Sequence, residues 1–156
     1  MDPELILRWL HVLGACVLLG TGAGIAFFMM MAHRGGDPAL IAGTARIAVV
    51  ADMVFTATAA IAQPLTGWLL ARQTGWDLTE GWIVASLALY VLTGACWLPV
   101  VRIQITLRDL AAEAARAGTA LPARYHRLTR LWFALGVPAF TAVLAILWLM
   151  IARPAL

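Results

Sequence analysis

Four long apolar runs constrain this sequence more than any other feature. A helix needs roughly 20 mostly apolar residues to cross the roughly 30 Å hydrocarbon core of a bilayer. The runs fall at residues 5–32, 47–71, 82–105 and 131–152. Apolar residues make up 63% of the chain and charged residues 12%, against roughly 45–50% and 25% in an ordinary soluble domain. The runs predict an all-α integral membrane four-helix bundle in a single domain, and the composition excludes a soluble enzyme.

The segments between the runs indicate how the helices connect. The connections after the first and second runs are short and contain glycine, which is typical of turns. Residues 106–130 form a longer connection in which apolar residues keep helical spacing. We expect the third helix to continue to about Arg116 and to end at Gly118, with Pro122 opening the fourth. This connection would then be a helical hairpin that projects beyond the membrane.

The positions of the arginines predict the orientation of the chain. All eleven basic residues are arginines, and most of them lie beside the first and third connections. That group is Arg34, Arg46, Arg102, Arg108, Arg116, Arg124, Arg127 and Arg130, whereas the other side has Arg8, Arg72 and Arg153. The positive-inside rule then places both termini outside the cytoplasm, in the inner (plasma) membrane, with a cytoplasmic hairpin at residues 106–130. The first run is longer than the apolar region of a signal peptide, so we expect a retained anchor. No basic face with aromatic readers is visible, so a nucleic-acid partner is not expected.

His11 is the only histidine within an apolar run. A neutral imidazole in hydrocarbon must form a hydrogen bond or bind a ligand. Three interpretations remain open: a hydrogen bond to a neighbouring helix, ligation of haem or a metal, and a proton relay. Small residues on the same helical face, such as Gly14 and Gly22, leave room for a neighbouring helix or for a flat cofactor. His33 and His126 lie at or beyond the membrane boundary, where we expect them to be solvated.

Two further runs have polar stripes that should face the interior of the bundle, because lipid cannot satisfy polar groups. The stripes are Asp52, Thr56, Gln63 and Thr66 in the second run, and Ser86, Tyr90, Thr93, Trp97 and Gln104 in the third. We expect Asp52 to form an ion pair with Arg46, Arg102 or Arg108. Pro64 cannot donate a backbone hydrogen bond, so it leaves one carbonyl of its helix free.

Several motifs give the sequence a family resemblance. Residues 9–15 (WLHVLGA), 63–67 (QPLTG) and 94–101 (GACWLPVV), with Gln104 and Arg108, resemble an uncharacterised family whose members are described only as predicted bacterial integral membrane proteins. More distantly, the Leu-His pair early in a four-span chain resembles the HemJ-type protoporphyrinogen oxidases and the CopD-like copper-resistance proteins. The HemJ resemblance implies that His11 is a haem ligand. The HemJ type also uses a lysine in a later span, and this sequence has no lysine, so the resemblance does not extend to that residue.

These observations favour a haem b protein with a redox or electron-transfer role, in which His11 is the axial metal ligand. Tyr90, Gln63 or Arg8 could contact the haem propionates or its distal side. The second axial position would be open, filled by Met150, or filled by His11 of a second copy in a homodimer. An open position would allow a small ligand to bind, or electron exchange with a quinone.

Two alternatives belong to other functional classes. The chain could be a non-catalytic accessory or scaffold subunit of a larger membrane complex, with the 106–130 hairpin as a docking surface. It could also be a small transporter or channel, with Asp52 and the Gln63-Pro64 break along its pathway. All three interpretations have membrane lipid as a partner.

Overall fold

The computed structural model describes residues 2–156 and contains four long helices. They are α1 (Pro3–Gly35), α2 (Pro38–Thr74), α3 (Gly81–Ala117) and α4 (Ala123–Ala152). Each helix is long and apolar enough to cross a membrane, and residues 2–156 contain no β-strand. The predicted fold class, an all-α membrane bundle, is therefore confirmed.

Local sequence signals begin and end these helices. Asp37 caps α2 by accepting a hydrogen bond of 2.9 Å from a backbone N–H two residues ahead. Pro38 takes the first helical position, where an N–H would have no partner within the helix. Gly36, Gly75 and Gly118 follow α1, α2 and α3 with positive φ angles, which glycine adopts readily because it has no Cβ.

The helices α2 and α3 are longer than the apolar runs within them. Each has 37 residues, which corresponds to roughly 55 Å at 1.5 Å per residue. Helix α2 begins at Pro38, well before the predicted start at residue 47. The additional turns are rich in alanine, the strongest helix former, and their Ile41 and Ala45 are fully buried at 0% exposure. Helix α2 therefore extends beyond the apolar run at its first end, in turns that pack against other helices.

Residues 106–130 form two helical arms joined by a short turn. Helix α3 continues to Ala117 and α4 begins at Ala123, with Gly118 in the turn between them. Leu107, Ala111 and Tyr125 are at most 1% exposed and belong to the largest buried apolar cluster. We call this end of the bundle, which includes the turn at Gly36, the hairpin end. The opposite end, with residues 2 and 156 and the connection 75–80, is the terminal end.

Helix α2 changes its main neighbour halfway along its length. Up to Ala51 it packs mainly against α3, and beyond Ala57 it packs against α1 and makes few contacts with α3. The change falls at a π-helical turn, Asp52–Thr56, where the N–H of Ala57 donates to the carbonyl of Asp52 five residues back. As a result, the hairpins α1–α2 and α3–α4 pack closely at the hairpin end and separate towards the terminal end.

A hydrogen bond links these hairpins where α2 leaves α3. Pro64 lies inside α2 and has no N–H to donate to Ala60, four residues earlier. The hydroxyl of Tyr90 on α3 donates to that Ala60 carbonyl. The free carbonyl expected from Pro64 is therefore satisfied by a side chain of another helix, as membrane proteins require.

This arrangement predicts a conditional effect of Tyr90→Phe. In the wild-type background the substitution leaves the Ala60 carbonyl unpaired and should lower the free energy of unfolding by about 1–2 kcal/mol. In a Pro64→Ala background residue 64 regains its N–H, so Tyr90→Phe should cost much less. Unfolding by SDS in mixed micelles measures both costs, and equal costs in the two backgrounds would contradict this account.

Candidate functional site

The polar stripes of α2 and α3 face the interior of the bundle, as their spacing predicts. Asp52, Thr56 and Gln63 on α2 are at most 9% exposed, as are Ser86 and Gln104 on α3. The polar groups meet at two levels. One level surrounds the imidazole of His11 on α1, in the half of the bundle near the terminal end. The other surrounds the carboxyl of Asp52 at the π-helical turn of α2.

His11 contacts α2 through one of its two ring nitrogens. Its Nδ1 lies 2.9 Å from Oγ1 of Thr66. The Thr66 hydroxyl has a single proton, and it lies 2.8 Å from the carbonyl of Ala62 and 3.2 Å from that of Gln63. The Thr66 hydroxyl is therefore positioned to donate to a carbonyl of its own helix. On that basis we assign a hydrogen to Nδ1 of His11, with the ring as donor to Thr66.

This tautomer leaves Nε2 of His11 as a bare acceptor. Within residues 2–156 no group forms a hydrogen bond to Nε2, and this nitrogen is not sealed inside the protein. The arrangement is typical of ligating histidines, in which one ring N–H donates to a fixed neighbour and the other nitrogen binds a metal. The hydrogen bond to a neighbouring helix and the ligation of haem or a metal are therefore compatible with each other, because the first uses Nδ1 and the second would use Nε2.

Two glycines allow α1 and α2 to approach closely at this level. The amide of Gln63 donates to the backbone carbonyl of His11 at 2.8 Å, and a Cβ on Gly14 would lie only 2.7 Å from Nε2 of Gln63. In return, a Cβ on Gly67 would lie 3.1 Å from Cε1 of His11. Each helix thus contributes one polar side chain and one glycine that receives the polar side chain of the other. We call His11, Gly14, Gln63, Thr66 and Gly67 the His11 site.

The other predicted site residues have different partners. Arg8 forms an ion pair with Glu4 on the surface of α1, and its side chain is 57% exposed. Tyr90 donates to the Ala60 carbonyl. Of the four residues predicted for a cofactor, the structure brings His11 and Gln63 into direct contact.

The small-residue face of α1 also opens a groove, but at a different level. A groove of about 620 Å³ lies between α1 and the first half of α2, lined mainly by apolar groups that include Gly24, Phe28 and Ala48. Its lining on α1 starts at Thr21, ten residues beyond His11, which is roughly 15 Å along a helix. The groove is therefore not a slot next to the imidazole.

Asp52 has a different partner from the one expected. Its carboxyl is 4% exposed and accepts a hydrogen bond of 3.2 Å from Nε1 of Trp97 on α3. The expected ion pair with Arg46, Arg102 or Arg108 is wrong. Arg46 and Arg102 are exposed, and Arg108 pairs with Asp109 at 2.8 Å. These arginines face outward, whereas α2 directs Asp52 towards α3.

Two more polar side chains lie beside this carboxyl. Thr56 and Gln104 lie close enough to Asp52 to interact with its carboxyl, but Oγ1 of Thr56 and the two amide atoms of Gln104 do not reach full hydrogen-bond geometry. Gln104 is fully buried at 0% exposure. We call Asp52, Thr56, Trp97 and Gln104 the Asp52 cluster.

The remaining histidines lie at the hairpin end. His126 is exposed, as expected. His33 is half-buried, and its ring stacks on Tyr125 with the centroids 5.6 Å apart. The expectation that His33 is solvated is therefore only partly correct, because the end of α1 packs beside the start of α4. Both histidines are well separated along the bundle from His11.

Sequence reasoning missed Gly67 and the specific role of Thr66. Both follow Gln63 in the QPLTG segment at steps of four and three residues, which place all three on one face of α2. This spacing was the available signal. It did not indicate which helix the face contacts or which ring nitrogen it would bind.

Four spanning helices around a polar interior define a polytopic integral membrane protein. Over residues 5–154 the chain matches the family described as "Predicted integral membrane protein (DUF2269)". Because this match covers nearly the whole chain, the protein belongs to that family. No curated protein and no solved structure matches the chain, so the distant resemblance to the HemJ and CopD types stays a prediction.

The glycine contacts predict opposite effects for two similar substitutions in α1. Gly14→Ala places a methyl group against the Gln63 amide and should cost about 1–2 kcal/mol of unfolding free energy through loss of the hydrogen bond to His11. Gly22→Ala meets no atom within 4 Å, so it should be neutral or stabilising by up to about 1 kcal/mol. Paired SDS unfolding curves measure the difference, and a Gly14→Ala protein as stable as Gly22→Ala would contradict the close fit.

Proposed function

We propose that this protein binds haem b in the membrane, with Nε2 of His11 as an axial ligand and a redox or electron-transfer role. The observation that supports this proposal is the hydrogen-bond network of the ring. Nδ1 lies 2.9 Å from Oγ1 of Thr66, whereas Nε2 has no hydrogen-bond partner among the described residues and is not buried. A histidine held in this way by a neighbouring group is suited to ligate iron. Bound haem b would supply one-electron redox chemistry at this position.

In this proposal the haem would lie between the two hairpins. Beyond Ala57, α2 packs against α1 and makes few contacts with α3. Arg8 lies three residues before His11 on the same face of α1 and is exposed. Arg8 is therefore suited to bind a haem propionate in exchange for Glu4. Gln63 and Tyr90 would support the site through their backbone hydrogen bonds.

A second axial ligand from the same chain is not favoured. Met150 packs against the apolar cluster of Trp82, Ile83 and Leu149 between α3 and α4. The proposal is therefore a five-coordinate iron, or an iron shared with His11 of a second copy in a homodimer. A five-coordinate iron would leave one face open to a small ligand or to electron exchange with a quinone.

We also propose that the protein lies in the plasma membrane with both termini outside the cytoplasm. Eight of the eleven arginines lie towards the hairpin end, which is the end that the positive-inside rule assigns to the cytoplasm. His11 would then lie in the outer half of the bilayer and the Asp52 cluster deeper. An accessory or scaffold role in a larger complex is the competing function, because the His11 site also fixes two helices together without any cofactor.

The absorption spectrum tests the haem proposal. Protein purified from haem-supplied cells should show a Soret band, and His11→Asn should abolish it. Asparagine places an amide N–H near the position of Nδ1, so it keeps a donor for Thr66 while it removes Nε2. The His11→Asn variant should therefore remain folded, which an unchanged elution volume and SDS unfolding midpoint would verify.

Matched variants separate ligation from general damage. His33→Ala and His126→Ala remove the other two histidines and should retain the band. Thr66→Val removes the acceptor of Nδ1–H and should weaken haem retention roughly 10–100-fold. A colourless wild-type protein, or a Soret band that persists in His11→Asn, would overturn the proposal and favour the scaffold function.

A further inference from the structure

The carboxyl of Asp52 is sealed inside the bundle without a cationic partner. It is 4% exposed, and the side chains that face it, Trp97, Thr56 and Gln104, are all uncharged. Within residues 2–156 the two salt bridges are Arg8 with Glu4 and Arg108 with Asp109, both at the protein surface. A negative charge buried in this way is unfavourable unless a positive charge neutralises it.

The side chains around this carboxyl are also incomplete. Gln104 is 0% exposed and Thr56 is 9% exposed, and Oγ1 of Thr56 and both amide atoms of Gln104 lack hydrogen-bond partners. Buried polar groups in folded proteins nearly always have a partner, whether protein, water or ion. The Asp52 cluster therefore contains three polar atoms, on two side chains, that are free to take a further partner.

The π-helical turn places these oxygens together. Asp52 and Thr56 begin and end the turn Asp52–Thr56, and Gln104 approaches from α3. Turns of this type interrupt the regular helical ladder and occur frequently at functional sites. Ionisable residues buried at membrane depth commonly mark ion or proton sites.

We propose that the Asp52 cluster binds one small monovalent cation, a sodium ion or a proton. Carboxylate, amide and hydroxyl oxygens are ligands for hard cations. The cluster has a single negative charge, which one positive charge neutralises. Trp97 fixes the carboxyl by donating to Oδ1, and the cation would be held by the carboxylate together with the side-chain oxygens of Thr56 and Gln104. The cluster lies eleven residues from Gln63 along α2, roughly 16 Å, so this inference does not depend on haem at His11.

Thermal unfolding of the purified protein tests this proposal. At pH 8 and constant ionic strength, sodium chloride should raise the unfolding midpoint relative to choline chloride if the occupant is sodium. The expected rise is roughly 3–6 °C when the cation is about tenfold above its Kd. If the occupant is a proton, sodium should have no effect, and a similar rise should appear as the pH is lowered in choline chloride. In both cases Asp52→Asn should remove the response.

Two pairs of variants keep the test specific. Thr56→Val removes one ligand oxygen at nearly constant volume and should raise the cation concentration needed for half of the response about tenfold. Thr58→Val, two residues further on the exposed face, and Glu113→Gln, an exposed carboxylate of α3, should leave the response unchanged. A wild-type midpoint insensitive to both sodium and pH, or a response that survives in Asp52→Asn, would overturn the proposal and identify the cluster as a structural polar contact. If Asp52→Asn does not fold, an unchanged half-response concentration in Thr56→Val would have the same meaning.

Discussion

Polar groups between the helices of this chain need partners within the bundle, because lipid provides none. The structure supplies the main ones through a few contacts that each join two helices. Tyr90 of α3 completes the carbonyl of α2 that Pro64 leaves free. Trp97 of α3 donates to Asp52 of α2, and the His11 site joins α1 to α2. The apolar surface holds the helices in the membrane, whereas these polar contacts select which helices are neighbours and at what level.

The His11 site shows how one contact can serve both structure and chemistry. The side chain of Gln63 packs on Gly14, and the ring of His11 packs on Gly67. This reciprocal packing aligns α1 with α2, and it would do so without any ligand. The same alignment favours the imidazole tautomer in which Nδ1 carries the hydrogen and Nε2 is free. A structural hydrogen bond and metal ligation are therefore compatible at this histidine, since they use different nitrogens. The haem proposal depends on the second nitrogen, and the fold depends on the first.

The sequence predicts the four helices and the inward polar stripes well, because a run of about 20 apolar residues in a bilayer has few alternatives to a helix. It predicts poorly which residues of different helices contact each other. Asp52 was expected to pair with an arginine, yet its partner is Trp97. The rotation of α2 relative to α3 determines which side chain lies next to the carboxyl. Gly67 and the early start of α2 at Pro38 were missed for a related reason. Glycine and alanine are nearly neutral in hydropathy, and their role becomes visible only once a neighbouring helix packs on them.

The π-helical turn Asp52–Thr56 separates α2 into two halves with different neighbours. A turn of this kind accommodates one residue more than a regular helix would need. Deletion of one residue here would restore a regular helix and rotate all later side chains by about 100°, which would turn Gln63 and Thr66 away from α1. The one additional residue of the π-helical turn thus sets the rotation of all later side chains about the axis of α2. Across homologous chains, length changes in α2 should therefore be far rarer than conservative substitutions, and any indel that occurs there should come with a compensating one nearby.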